Sequence, residues 1–165
     1  MRYLFLSLAI FGIIISACTI REHYHEGTSP CDINDKWDCG VVNHSPFAVV
    51  SGILGLGDGA AIEGEAKPGR VTVLLSKIPL GAAGIAGYLL IGALGFFRRY
   101  RLLLIPVLFA LGFSIYLTHY VEARLLGVYC IYCVISYGTI ILLTLLNVGV
   151  VAAQWIKGHR TAAQE

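Results

Sequence analysis

Four apolar runs, each close to the length that crosses a lipid bilayer, constrain this chain more than any other feature. They cover residues 3–20, 78–97, 102–121 and 129–156. A bilayer's hydrocarbon core is about 30 Å thick, and a helix rising about 1.5 Å per residue needs about twenty apolar residues to span it. Inside lipid every backbone N–H and C=O must find a partner within the protein, so the runs are expected to be helices. Composition agrees: of 165 residues, 57% are apolar and 13% charged, a balance foreign to soluble domains of this size. The expected fold is an all-α membrane protein, a single domain over 1–165. It would be a four-transmembrane-helix bundle with a long outer loop at 21–77.

Charge orients the bundle. The link between the second and third runs holds Arg98, Arg99 and Arg101, and the tail holds Lys157 and Arg160. Both are expected on the cytoplasmic side by the positive-inside rule, which also puts the N-terminus inside. Loop 21–77 and the short loop 122–128 then face outward. The long loop carries eight acids against five Lys or Arg. Ile15-Ser16-Ala17-Cys18 also resembles a lipoprotein cleavage box, although a cysteine packed among apolar neighbours is the plainer reading.

Within the outer loop, residues 46–56 are mostly apolar but too short to span, and are expected to form a helix lying along the membrane surface. Residues 57–70, with four glycines and a proline, read as a turn region. The second run is rich in small residues, including Gly81, Gly84 and Gly87. These suit close helix packing in lipid, or a smooth wall for a flat apolar ligand. Pro106 marks an expected kink in the third run.

The cysteines carry the chemistry. Cys31 and Cys39 lie in the polar loop, and Cys130-Ile131-Tyr132-Cys133 opens the fourth run. On this orientation all four face the compartment where disulfides persist. In a C-x-x-C at a helix start the sulfurs sit one turn apart, and the positive helix end favours thiolate, the species that attacks disulfides. Cys133 is expected to lie deeper than Cys130. Val134 follows Cys133, so the haem-attachment pattern is absent. Zinc held by the four cysteines, with His23, His25 or His44 in reserve, competes, as do inert structural disulfides. The seven-residue gap from Cys31 to Cys39 is wide for a zinc knuckle. No convincing nucleotide, flavin or phosphate motif is visible, so a lipid-soluble quinone is the expected electron acceptor. Tyr137, four residues after Cys133 on the same helix face, is a candidate hydrogen-bond donor to it.

In order along the chain stand Cys31-x7-Cys39, Ser45-Pro46-Phe47-Ala48, Gly84-x2-Gly87-Tyr88 and Cys130-Ile131-Tyr132-Cys133 with Tyr137. This set resembles the vitamin K epoxide reductase family, whose fold is a four-helix membrane bundle around a quinone. The resemblance implies that Cys130 and Cys133 are the active-site pair and Cys31 and Cys39 the shuttle. Cys39 would exchange with Cys130, and Cys133 would react with ubiquinone or menaquinone. It implies a quinone site at Tyr137, Ser45, Phe47, Leu80 and Gly84. Mammalian members carry an asparagine where Leu80 stands, which counts against epoxide reduction, the alternative activity. The implied activity is disulfide generation in a bacterial inner membrane. The expected partner is a separate thioredoxin-like periplasmic protein, since no such domain is seen in this chain. A non-enzymatic metal-binding membrane protein is the alternative from another class.

Overall fold

The apolar runs become helices in a computed structural model, which describes residues 1–25, 31–53 and 77–162. Helix α1 is Arg2–Tyr24, α2 is Cys39–Asn43, and α3 is the short Val50–Ile53. Next come α4 (Leu80–Phe96), α5 (Tyr100–Ile115) and α6 (Ile131–Ala162). No strand appears among the described residues, only isolated bridges. Among the described residues three helical stretches are long and apolar enough to cross a membrane: Arg2–Tyr24, Tyr100–Leu126 and Ile131–Lys157.

α4 is shorter than the run that predicts it. Its 17 residues amount to about 26 Å of helix. Pro79 is held extended as its N-cap, and the flanking backbone pairs with the outer loop through Val49↔Pro79 and a 3.1 Å bond from Val50 N–H to Ile78 C=O. At the other end Arg98 adopts φ 58°, a left-handed conformation that stops the helix and turns the chain into α5.

Two expectations about the outer segments change. The single surface helix over 46–56 is instead a 3-10 turn, Pro46–Ala48, and α3, separated by an extended Val49. Pro46 favours a turn start, and Val49 is drawn out of helix by pairing with Pro79. Residues 54–56 and the glycine-rich 57–70 lie outside the described residues. The expected loop 122–128 is mostly helical: α5 continues as a π-helix, Tyr116–Leu126, and ends at Gly127 with φ 70°. Pro106 sits inside α5 without ending it.

α1, α4, α5 and α6 pack on one another. Their shared core is Phe5, Tyr88, Ile91, Tyr100, Leu103, Val107, Ile140 and Leu143. The small residues of α4 meet α1. A Cβ added at Gly81 would lie 2.7 Å from Ile20 Cγ1 and 2.8 Å from the Ser16 carbonyl oxygen, and one at Gly95 would lie 2.7 Å from Phe5 Cβ. The Tyr88 ring fills the space above Gly12, and its hydroxyl donates to the Ser136 carbonyl oxygen at 3.1 Å, tying α4 to α6. Outward-facing Leu90, Ile105, Phe109 and Leu145 are all exposed. Against lipid tails that surface carries no hydrophobic penalty, and small-residue contacts do the packing.

Candidate active site

The polar segment 31–43 is folded by its own short side chains. Asp38 caps α2, accepting from Val41 N–H at 2.8 Å, and Asp32 accepts from Cys39 N–H at 3.0 Å. Asn34 accepts from Lys36 N–H at 3.0 Å, and Trp37 N–H donates to Asn34 C=O at 2.9 Å, closing a tight turn. Such residues favour turns and caps because their side chains bond nearby backbone. A disulfide joins Cys31 to Cys39, with their Cα atoms 5.9 Å apart.

That segment is fastened to the chain just ahead of α6. Tyr129 N–H donates to Lys36 C=O at 2.8 Å, Asp38 N–H donates to Tyr129 C=O at 3.1 Å, and the Trp37 and Tyr129 rings lie 5.7 Å apart. The next residue is Cys130. Cys31, Cys39, Val42 and Cys130 consequently share one buried apolar cluster, with Cys133 packed against it. Cys39 and Cys130 are both fully buried.

Two polar side chains enter this cluster. Asn43 donates from Nδ2 to Cys39 C=O at 2.8 Å and lies 3.7 Å from Cys130 Sγ. Glu122, 2% exposed, accepts from Cys130 N–H at 3.3 Å, and its carboxyl lies beside the Cys133 thiol. Cys130 and Cys133 are free of disulfide. Cys130 lies just before the helical span Ile131–Lys157. A hydrogen bond from the Cys133 thiol holds the Cys130 thiol below its ordinary value, and Asn43 adds to this, against burial and the nearby Glu122 charge.

The other expected residues are distributed unevenly. Tyr137 lies one turn beyond Cys133 and meets His119 edge-on, ring centroids 6.2 Å apart. Ser45 donates to Val42 C=O at 2.7 Å, and Phe47 is half-buried in the 3-10 turn that follows. Leu80 begins α4 and is half-buried. Gly84 is covered by α1: a Cβ there would lie 2.8 Å from Ser16 Oγ. Its smallness therefore serves helix packing. Two of the three histidines named for zinc are occupied otherwise, His23 Nδ1 on Asn43 C=O at 2.6 Å and His44 Nδ1 on Gly40 C=O at 2.8 Å. Among the described residues no group of three or more His, Cys, Asp or Glu gathers as metal ligands.

Sequence reasoning passed over Asn43, Glu122 and His119. Glu122 had one visible signal, an acid at the edge of an apolar run, but counting it into a loop hid its burial.

The model of the Vitamin K epoxide reductase family matches residues 3–148, from α1 through both cysteine pairs and well into α6. The chain belongs to that family. No curated protein matches it significantly. Members of the vitamin K epoxide reductase family are membrane oxidoreductases linked to disulfide and quinone chemistry. A quinone needs a flat apolar surface and polar atoms for its carbonyls. Tyr137, one turn from half-buried Cys133 and beside His119, fits that need.

Proposed function

We propose that this protein is a quinone-dependent thiol-disulfide oxidoreductase that generates disulfides for a separate thioredoxin-like partner in the outer compartment. One observation carries the reading: the Cys31–Cys39 disulfide is buried in the same cluster as Cys130, at the start of the helix bearing Cys133. A structural staple needs no second sulfur pair against it. A relay does.

In this reading a thiolate of the reduced partner attacks the Cys31–Cys39 disulfide, and exchange leaves both loop cysteines reduced. Cys39 then attacks Cys130 Sγ of an oxidised Cys130–Cys133 pair, and Cys133 is the leaving sulfur. Attack of Cys31 on Cys39 restores the loop disulfide and leaves Cys130 and Cys133 reduced. Asn43 steadies this transfer by holding the Cys39 backbone while its amide faces Cys130 Sγ. Tyr137 and Cys133 would hold the quinone, with Leu80 and Phe47 as apolar surface and Ser45 near the loop end. A bound quinone supplies an acceptor for two electrons and two protons. The Arg98–Arg101 link and Lys157 support cytoplasmic termini, which leaves the sulfur pairs on the outer face of an inner membrane.

The test is reoxidation of a reduced thioredoxin-like protein by the purified enzyme with added ubiquinone or menaquinone. Cys130→Ala and Cys133→Ala are expected to abolish turnover. Retention of wild-type turnover by either variant overturns the reading.

A further inference from the structure

Glu122 is the most heavily buried carboxyl group among the described residues, and it touches both members of the C-x-x-C. Neither of the contacts found for it is to Lys or Arg. A buried carboxyl group without a cation beside it is costly to ionise. It is also carried there by an unusual piece of backbone. The π-helix Tyr116–Leu126 extends α5 past the apolar run and brings Glu122 under the start of α6. π-turns inside helices are frequent at functional sites.

The surroundings limit what it can exchange protons with. From the α6 side it meets the Cys133 thiol and the Cys130 backbone N–H, with the Cys130 sulfur nearby. α2 also packs against the π-helix, but its cysteine, Cys39, is held in a disulfide and its Asn43 does not titrate. On its own element, His119 turns to Tyr137, and Arg124 is exposed. The Cys133 thiol is thus the titrating group beside the Glu122 carboxyl.

We propose that Glu122 is the proton-exchanging catalytic residue for Cys133, a role that rests on the relay proposed above. When Cys39 thiolate attacks Cys130 Sγ, a Cys39–Cys130 bond forms and the Cys130–Cys133 bond breaks. The electron pair leaves on Cys133 sulfur, and the Glu122 carboxylic acid delivers its proton there. The products are the mixed disulfide, the Cys133 thiol and the Glu122 carboxylate. In the opposite sense the carboxylate takes the proton from Cys133 and frees it to act as a nucleophile. Placing acid and base duty on one buried group keeps a bare thiolate from forming against the apolar sulfur cluster.

The experiment follows reduction of the Cys130–Cys133 disulfide in the full-length protein by dithiothreitol, without quinone or protein partner. Acid quenching and site-resolved alkylation read the rate over a range of pH. Because no quinone or partner is present, failure of the proposed physiological function leaves this result readable. Dithiothreitol's own ionisation is the same for every variant and cancels. Glu122→Gln keeps an oxygen for the Cys130 N–H but cannot carry the proton. It is expected to slow opening by roughly 100-fold, the lower end of general acid–base effects, and to erase the pH-dependent limb that wild type shows. Glu122→Asp is expected to restore that limb in part. Wild-type rate and pH profile in Glu122→Gln overturn the proposal. So does a Glu122→Asp profile as flat as that of Glu122→Gln, because the side chain would then act through packing.

Discussion

Asn43 shows how one residue couples two distant parts of this chain. Its amide bonds Cys39 C=O and faces Cys130 Sγ, 87 residues away. The Cys133 thiol is the main influence holding the Cys130 thiol below its ordinary value, and Asn43 acts in the same direction. A lowered thiol value means more thiolate at a given pH, hence faster alkylation. Asn43→Ala removes one of these supports, so the alkylation profile of reduced Cys130 should move to higher pH and its rate at neutral pH should fall. Cys133→Ala should move it further in the same direction. A profile unchanged in both variants would disprove the assignment. The sequence made Cys130 and Cys133 legible because a fixed spacing places them one turn apart on any helix. Asn43 was not legible, because its role depends on where the loop folds back.

Among elements, the α1–α4 interface resolves a choice the sequence left open. Small residues on α4 suited either close packing or a ligand wall. Gly81, Gly84, Gly92 and Gly95 all face α1, and a Cβ at each would lie 3.0 Å or less from Ile20, Ser16, Ala9 or Phe5. Close backbone approach is how membrane helices gain packing energy. Gly95→Leu is therefore expected to destabilise the protein by about 1–3 kcal/mol, as overpacking does. Gly87→Ala, where a Cβ meets nothing within 4 Å, should change it little. Thermal unfolding in detergent compares the two, and equal stability of the variants would show that the interface is loose. The helix ends were less legible than the helices. Hydropathy ends the third run at Val121, yet helical hydrogen bonding persists through Leu126, since a backbone can continue a helix after its side chains stop being apolar.

At the scale of the molecule, the proposed function requires the sulfur cluster and the arginine link to lie on opposite faces of the membrane. In a background whose native cysteines are replaced by alanine, Asp35→Cys should react with an impermeant maleimide on intact cells. Arg99→Cys should react only after permeabilisation. The reverse pattern would place the relay in the reducing compartment and remove the case for disulfide generation. The spans could be read in advance, because bilayer thickness sets their length, and the proposed orientation rests on the Arg and Lys bias.

By itself the sequence determined the helical membrane character and the C-x-x-C at a helix start. The resemblance it carries ordered the cysteines and pointed to the family. These follow from local properties: run length, charge and residue spacing. Only the tertiary structure decided that Gly84 packs against Ser16, that the surface segment breaks at Val49, and that Asn43 and Glu122 attend the sulfurs. Each of those depends on which remote residue the chain path brings near, and a local pattern holds no record of that path.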